Sequence, residues 1–460
     1  MKRVLRLPQN GRPQTGSGDG SLPGYGGAEM VRTPWGNAAE LRSKRMRAGR
    51  GNEPGASELN QRQRLFAALV AVTSEKGYEA TTIADLVKLA GVSRAAFYEH
   101  FADKEELLLA AVEALVEPTL GVIEAAEDAP SGEARVRQAV EALLALMAEQ
   151  PAAAKMTCIE LYAAGPRGEA TMDRAIESFE RFGLAELKRI KGRKGMPPEI
   201  VRALIGGFLK VIQKRLYSDE AEELRKLGEP IADWGLSYPP PPGKLAGPRR
   251  RGRKARSFSE RQAVAYPPER VLRSLAAIVA EKGYADATVA EVVERAGTSY
   301  RVFYGHFANK EEAFLAALDS GAAQMMASVL PAFHRAKSWP EAVRAAYESM
   351  FAFAMEEPEY TRLGAVEMYS VGSEALRRRD KVMEGLEALL MPGYELAPDT
   401  PSIAAEAIGG AIYALIHDQV KKKGAERLPE LAPTATYITL APFLGAKEAY
   451  ERSIEENEKW

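Results

Sequence analysis

The spacing of apolar residues along the chain is that of helices rather than strands. Within residues 64–76, Leu65, Leu69 and Val72 fall on one helical face, and Gly77 follows as a typical C-terminal stop. Similar amphipathic patterns run through most of the remaining sequence, and no alternating run of convincing length indicates a strand. The sequence therefore predicts an all-α fold.

Two short helices are predicted on either side of Gly91. Thr82 and Asp85 have the spacing of a capping box that opens the first helix, and Ser93 can cap the second, at residues 94–100. The glycine supplies the backbone freedom that the turn between them needs. Two short helices joined by such a turn form a helix-turn-helix, whose second helix can enter the major groove of DNA.

The same pattern occurs twice in the chain. The tetrapeptide Glu-Lys-Gly-Tyr at 75–78 recurs at 281–284, and the 38 positions aligned from there contain 21 identities. The similarity continues more weakly, with Ile-Gly-Gly at 205–207 answered by Ile-Gly-Gly at 408–410. A solenoid repeat would be only ~20–50 residues long. The chain is therefore interpreted as two tandem copies of one helical unit, copy one (57–235) and copy two (262–460).

Domain boundaries follow from the repeat and from composition. The stretches before each copy are rich in Gly, Pro and Arg and lack apolar periodicity, which is typical of disordered tails and linkers. The predicted order is a disordered basic tail (1–56), a helix-turn-helix domain (57–104), a helical domain (105–235), a Pro/Arg-rich linker (236–261), a second helix-turn-helix domain (262–310) and a second helical domain (311–460).

Composition and charge exclude several classes of protein. With 62 Lys+Arg and 63 Asp+Glu, the formal net charge of −1 excludes a polycation that coats nucleic acid by bulk charge. The one cysteine, Cys158, excludes an internal disulfide, and the four scattered histidines give no metal or cofactor site. No run of ~18 apolar residues predicts a membrane span, and the N-terminus lacks the apolar core of a secretory signal. A cytoplasmic protein without metal or cofactor is expected.

One repeated segment carries a family resemblance. Residues 81–104 read TTIADLVKLAGVSRAAFYEHFADK, and 287–310 are similar at the same positions. They resemble the DNA-binding domain of the tetracycline-repressor-like (TetR) family, over about 45 residues of each copy. The resemblance, which extends only loosely to the later helices, implies a dimeric transcriptional repressor and not an enzyme. Its helix-turn-helix would bind double-stranded operator DNA, and its helical domain would dimerise and bind a small-molecule effector.

Contacts to DNA are expected at matching positions of the two copies. Arg94 and Ala95 in copy one, and Tyr300 and Arg301 in copy two, would reach base edges, where an arginine can bind guanine through two hydrogen bonds. The residues expected to cap a helix or contact phosphate are Thr82, Ser93, Tyr98, His100, Lys104, Thr288, Ser299, Tyr304, His306 and Lys310. The open alternatives are a partly buried tyrosine, a solvated Arg94, a structural histidine and a Lys104 that pairs within its helix.

Basic residues precede each copy and could extend the DNA contact. They are Arg42, Lys44, Arg45, Arg47 and Arg50 before copy one, and the run 249–256 before copy two. Such arms can track the DNA backbone or enter a minor groove. A solubilising linker is the alternative interpretation.

Two helix-turn-helix units in one chain raise the question of pairing. Such units need two recognition helices about one DNA turn apart, ~34–36 Å. The helices predicted at about 199–217 and 402–420 carry Gly-Gly steps that permit close packing, in the region where the resemblance implies a dimer interface. We hypothesise an intramolecular pseudo-dimer, with a homodimer as the alternative. Because residues 93–96 (SRAA) differ from 299–302 (SYRV), a pseudo-dimer predicts an asymmetric operator.

The effector site is only weakly indicated. Apolar stripes on the middle helices offer as ligand candidates Met156, Ile159, Tyr162, Phe179, Phe182, Phe351, Met355, Met368 and Tyr369. Such stripes are more often core than pocket, and a pocket here would suit an apolar or aromatic molecule. Two alternatives remain at this stage: an interaction module in which one helix-turn-helix alone reads DNA, and an all-helical enzyme, for which no phosphate loop, triad or metal spacing is present.

Overall fold

The computed structural model describes residues 28–43, 55–124, 129–245 and 267–454, and within these ranges every long element is a helix. The α-helices are α1 (Ala38–Ser43), α2 (Ala56–Ala80), α3 (Ile83–Ala90), α4 (Arg94–His100), α5 (Lys104–Glu124), α6 (Gly132–Glu149), α7 (Pro151–Cys158), α8 (Gly165–Arg189), α9 (Pro198–Tyr217), α10 (Gly228–Leu236), α11 (Pro267–Lys282), α12 (Val289–Ala296), α13 (Tyr300–His306), α14 (Lys310–Arg335), α15 (Trp339–Glu356), α16 (Pro358–Ala365), α17 (Ser373–Glu387), α18 (Met391–Leu396), α19 (Ala404–Lys423) and α20 (Ala432–Ile454). The predicted all-α fold is confirmed.

The chain divides into two compact units whose limits differ from those of the sequence copies. The first unit comprises Met1–Asp128, Gln138–Ala175 and Arg215–Lys226. The second comprises Ala129–Arg137, Ile176–Lys214 and Leu227–Trp460. Much of α8, most of α9 and all of α10 therefore group with copy two, although they belong to copy one by sequence.

A contiguous apolar core supports the DNA-binding domain of copy two in the second unit. Phe303 and Phe314 are fully buried in it, together with Val292 of α12 and Leu275 of α11. Leu363 of α16 packs into the same core, which ties this domain to the helices that follow. Burying a side chain of this size stabilises the fold by roughly 1.5–3 kcal/mol. The phenylalanines that repeat between the two copies, Phe97, Phe101, Phe303 and Phe307, are all buried.

Helix α14 is the one described helix long and apolar enough to cross a membrane by length and composition. Its N-terminal half lies in the core just described, where Ala313, Phe314, Ala317 and Leu318 are buried. We therefore assign α14 as a core helix of this domain.

Part of the segment predicted to be a disordered tail is ordered, so the prediction is wrong for residues 28–43. The Trp35 ring packs on the Phe66 ring of α2 with centroids 5.0 Å apart. Leu41 of α1 is buried, as is Thr33, whose hydroxyl donates to the carbonyl of Gly36 at 2.5 Å. Sequence periodicity missed this segment because a single turn of helix and one tryptophan carry its packing.

The first part of the predicted linker is likewise anchored in the second unit rather than extended in solvent. Tyr238 is fully buried, and its hydroxyl donates to the Ile438 carbonyl at 2.8 Å while accepting from Trp234 Nε1 at 3.1 Å. The hydroxyl of Tyr437 donates to the Pro239 carbonyl at 2.6 Å. The basic run 249–256 lies outside the described residues.

Helices α9 and α19 pack at close range within the second unit. A Cβ atom added at Gly207 would lie 2.3 Å from the Ala407 carbonyl oxygen, and one at Gly410 would lie 3.0 Å from the Gly207 Cα atom. Only glycine allows backbones to approach so closely. The predicted helices at about 199–217 and 402–420 are confirmed as α9 and α19.

Candidate nucleic-acid interface

A capping box opens the first helix of each helix-turn-helix. The Thr82 N–H donates to the Asp85 carboxylate at 2.9 Å, and the Thr82 hydroxyl accepts from the Asp85 N–H. Thr288 and Glu291 make the same pair of bonds in copy two. Lys282 and Thr288 donate to the Glu291 carboxylate and lower its pKa to about 2. The predicted box in copy one is confirmed, and these threonines are fixed by their own helices.

The turn between the two helices needs glycine in both copies. Gly91 has φ 60° and Gly297 has φ 59°, a left-handed conformation that a side chain strains. An arginine on the first helix of each domain, buried at Arg64 and half-buried at Arg270, braces the turn. Arg64 Nη1 donates to the carbonyls of Ala90 and Gly91 at 2.9 and 3.0 Å, and Arg270 donates to the Ala296 carbonyl at 2.6 Å. Sequence reasoning missed this pair, although arginine at both positions of the repeat was a signal.

The recognition helices α4 and α13 share one frame. Ser93 caps α4 by accepting from the Ala96 N–H at 3.1 Å, and Ser299 caps α13 by accepting from the Val302 N–H at 3.3 Å. One side of each helix is held down by a fully buried ring, Phe97 or Phe303. The opposite side is therefore presented to solvent at a fixed angle.

The exposed sides of the two recognition helices differ. In copy one Arg94 and Ala95 are exposed, and Tyr98 is 50% exposed. In copy two Arg301 is exposed, and Tyr300 and Tyr304 are 52% and 55% exposed. The rings of Tyr300 and Tyr304 stack on each other with centroids 6.4 Å apart. The predicted contact residues thus lie together on one face of each helix, with different side chains.

The two histidines at the ends of these helices behave differently. The His100 side chain is only 6% exposed, and its Nε2 atom lies 2.9 Å from Gln61 Oε1 of α2. The ring of His100 thus joins α4 to α2, and its expected phosphate contact stays a prediction. His306 is exposed at the corresponding place.

Each lysine expected to contact phosphate is turned to the end of the preceding long helix. Lys104 Nζ donates to the Tyr78 and Glu79 carbonyls at 2.9 and 3.3 Å and lies 4.2 Å from the Tyr78 ring centroid. Lys310 donates in the same way to the carbonyls of Tyr284 and Ala287. Burial lowers the pKa of Lys104. These lysines therefore bind the start of the helical domain to the backbone that precedes the helix-turn-helix.

In copy one, Glu160 binds the backbone of Tyr78, the residue whose carbonyl Lys104 also binds. Its carboxylate accepts from the Tyr78 N–H at 2.9 Å, next to the break in α2 at Gly77. Burial raises the pKa of Glu160. Glu160 and Lys104 thus bind the N–H and the carbonyl of one residue, Tyr78, from two sides.

We expect Lys104→Met to have two separate effects. The free energy of unfolding should fall by about 1–2 kcal/mol, because two helix-end carbonyls lose a charged donor. The slope of log affinity for DNA against log salt should also fall, by about one, if the remaining N–H of the amine contacts phosphate. Chemical denaturation and a salt series of binding measurements report the two effects independently. An unchanged slope would restrict Lys104 to its role in the fold.

The basic arms are described only in part. Arg42 of α1 lies beside the helix-turn-helix turn, where a Cβ atom at Gly91 would be 3.0 Å from Arg42 Cγ. The other expected arm residues before copy one, Lys44, Arg45, Arg47 and Arg50, lie outside the described residues.

The predicted ligand residues do not line the cavity that the structure contains in copy two. That cavity has a volume of about 50 Å³, and its wall includes Tyr347, Met350, Leu390 and Ile412, with Glu387 as its polar member. The candidates absent from this wall are Phe351, Met355, Met368 and Tyr369 of copy two, and Met156, Ile159, Tyr162, Phe179 and Phe182 of copy one. Met368 instead packs in the core of the DNA-binding domain, with Tyr369 against it. Helical spacing alone therefore does not distinguish core positions from the wall of this cavity.

No group of three His, Cys, Asp or Glu side chains is placed to hold a metal ion within the described ranges. The thiol of Cys158 is buried, and burial raises its pKa to about 12. Such a thiol is protonated at neutral pH and is a poor metal ligand or nucleophile.

Comparisons with known proteins agree with this geometry. Residues 65–111 and 271–317 each match the family described as "Bacterial regulatory proteins, tetR family". The HTH-type transcriptional activator FasR of Mycolicibacterium smegmatis is 36% identical over 110 residues, which cover 23% of this chain and 49% of that protein. The uncharacterized HTH-type transcriptional regulator YerO of Bacillus subtilis is 40% identical over 53 residues, covering 12% of this chain and 18% of that protein. The chain thus spans half or less of the length of these relatives.

A solved structure, the fatty acid degradation regulator FadR of Bacillus halodurans, aligns with a TM-score of 0.34 at 18% identity. The alignment covers 38% of this chain and 98% of that one.

Proposed function

With a tetR-family DNA-binding domain in each of its two copies, this chain belongs to that family of bacterial regulatory proteins, and from this premise we propose that it is a sequence-specific transcriptional regulator acting on an asymmetric operator. The observation that carries the proposal is the pair of recognition helices. Equivalent caps and buried phenylalanines present different side chains, Arg94 and Ala95 on α4 against Tyr300 and Arg301 on α13. Side chains that differ at base edges favour different base pairs.

The two copies would act as an intramolecular pseudo-dimer. The close packing of α9 on α19 in the second unit supports this pairing, because the two helices are equivalent by sequence. The clustering of residues 176–214 with copy two supports it further. One chain would then supply both recognition helices that such regulators place on neighbouring turns of DNA. A homodimer of whole chains would instead carry four helix-turn-helix units.

Base contacts would come from Arg94, Ala95, Tyr300 and Arg301. Phosphate contacts would come from the exposed hydroxyls of Tyr98 and Tyr304, the exposed Thr82 and Thr288, and His306, with Lys104 and Lys310 at the helix ends. Ser93 and Ser299 would position these side chains through their caps. As a reader of chromosomal DNA, the protein would work in the cytoplasm.

Effector binding is proposed at the cavity of copy two. Its volume of about 50 Å³ and its apolar wall suit one small apolar group of an effector. Glu387 gives this wall one polar anchor. A thermal-shift screen of small apolar compounds with the full chain would identify candidates.

The operator is the direct test of the proposed function. Fragments selected from the source genome by the full-length protein, then sequenced and footprinted, are expected to share two unlike half-sites about one helical turn apart (~10–10.5 base pairs). A perfect palindrome would contradict the pseudo-dimer, and the absence of any enriched sequence would contradict sequence-specific binding. A reporter gene behind the recovered operator decides between repression, which the sequence resemblance implies, and activation, which is in the name of the M. smegmatis relative.

A further inference from the structure

In the second unit, α9 forms a set of ion pairs with helices of copy two, and α9 supplies the cation of each pair. Lys210 Nζ lies 3.4 Å from the Asp380 carboxylate and 3.7 Å from that of Glu387. One turn further, Lys214 Nζ lies 2.9 Å from the Glu384 carboxylate. In each of these pairs the cation stands on α9 and the anion on α17.

The Lys210 cluster is enclosed by the glycine contact between α9 and α19. The Lys210 side chain is 3% exposed and that of Asp380 is 5% exposed. A Cβ atom at Gly410 would lie 2.6 Å from Lys210 Cβ, so the two helices are in close contact at this residue. Burial lowers the pKa of Lys210 and raises that of Asp380 to about 6. Arg379 and Glu406 are the other charged groups near this amine. Removing one member of such a buried pair strands the charge of the other.

Copy two lacks the cations that α9 supplies. When the Ile-Gly-Gly steps at 205–207 and 408–410 are aligned, Lys210 corresponds to Tyr413, and Lys214 corresponds to His417. If copy two paired with a second copy two, Asp380 and Glu387 would meet a tyrosine instead of a lysine. Glu387 would then lose the Lys210 amine, and Asp380 would lose it too but keep the Arg379 guanidinium, whose Nε atom lies 2.8 Å away.

Pairing of copy one with itself is disfavoured at another point. Arg202 Nη2 lies 3.0 Å from the Asp418 carboxylate of α19. At the same alignment Asp418 corresponds to Arg215 of copy one. Two paired copies of copy one would therefore set Arg202 against Arg215, and like charges at close range repel.

We propose that Lys210 with Asp380 and Glu387, together with the Arg202–Asp418 pair, selects the pairing of copy one with copy two over the pairing of like copies. This specificity rests on the proposed pairing of the copies, but it concerns which copies pair rather than whether the chain regulates transcription. Charges that are satisfied in one arrangement and stranded in the others are a general means of choosing a partner. The partner of copy one is thus a copy two, and the tether makes the one in the same chain the nearest.

The test uses a zero-length carbodiimide cross-linker on the full-length protein. Equal amounts of ¹⁴N- and ¹⁵N-labelled chains are mixed, unfolded, refolded together and then cross-linked. Mass spectrometry is expected to find a Lys214–Glu384 peptide of unmixed isotope composition, since these side chains are in contact and partly exposed. When Glu-Leu-Tyr at 160–162 is aligned with Glu-Met-Tyr at 367–369, Glu384 corresponds to Glu177. The equivalent like-pair product would therefore join Lys214 to Glu177, with mixed isotopes.

Charge reversal at the buried pair makes the test specific. Lys210→Asp alone and Asp380→Lys alone should each lower the yield of the Lys214–Glu384 link by about tenfold or more, and the double variant should recover most of it. Circular dichroism is recorded for every variant to show that its helices form. Lys226→Asp is the matched control, since the Lys226 side chain is 72% exposed and pairs with Glu223 on its own turn; its yield should not change.

Four outcomes separate this proposal from the proposed function. Full yield in both single reversals, or no recovery in a folded double variant, would overturn the selection. A mixed-isotope Lys214–Glu177 product would overturn it as well, because like copies would then pair. A mixed-isotope Lys214–Glu384 product would uphold the selection and overturn the intramolecular pseudo-dimer.

Discussion

Replacing Arg94 with alanine is expected to weaken binding to the operator by about 5- to 150-fold, because an arginine that binds guanine through two hydrogen bonds contributes ~1–3 kcal/mol of discrimination. Arg94 is exposed at the first turn of α4, directly after the Ser93 cap. The loss should therefore be confined to one half-site. Fluorescence anisotropy with operators substituted one base pair at a time measures both the affinity and the position at which preference is lost.

The matched variant is Arg301→Ala in α13. It should relax the preference in the other half-site and leave the first half-site unchanged. Lys226→Ala, on an exposed side chain, should leave both unchanged. Arg94→Ala and Arg301→Ala could instead reduce the preference at the same base pairs. Each half-site would then be read by both copies in turn, and the prediction of an asymmetric operator would be wrong.

Gly207→Val is expected to lower the free energy of unfolding by about 2–3 kcal/mol or more, the upper range for overpacking a well-filled core. The added Cβ atom would lie 2.3 Å from the Ala407 carbonyl oxygen and 2.7 Å from Trp234 Cη2. One neighbour is backbone and the other a fully buried ring, so neither can move aside cheaply. Chemical denaturation measures the loss. Binding to the full operator should weaken with it, because in the proposed pseudo-dimer this contact sets the spacing of the two recognition helices.

Gly235→Ala is the control for that variant. Apart from its chain neighbours and the backbone of its own helix, no atom lies within 4 Å of a Cβ at Gly235, and alanine favours a helix more than glycine does. Stability should stay the same or rise slightly. A Gly207→Val protein as stable as wild type would mean that α9 and α19 do not pack as described in solution.

Features that depend on neighbours in the sequence were predictable. The Thr82 cap, the left-handed turn at Gly91 and the Ser93 cap each need residues within four positions of one another, so their spacing is visible in the sequence. The duplication made the prediction firmer, because Thr288, Gly297 and Ser299 repeat it.

Features that depend on distant residues were not predictable. His100 is turned inward by Gln61, 39 positions away, and Lys104 is held by carbonyls 25 and 26 positions away. The cavity of copy two is bounded by several helices, so no single apolar stripe reveals its wall. The charge set around Lys210 was hidden for a similar reason, because its partners lie on a helix about 170 positions further along the chain.

The anchoring of the linker by Tyr238 bears on how the regulator responds to its own abundance. A tether of this kind holds two binding units at an effective concentration that dilution does not change. A two-chain regulator must first assemble, so at low abundance the occupancy of its operator rises with the square of the chain concentration. In the proposed pairing both readers come with every chain, and occupancy rises in simple proportion to copy number. In a cell that makes only a few molecules, the occupancy of the operator would still rise gradually with the number of chains. It would show no threshold concentration below which the regulator fails to assemble.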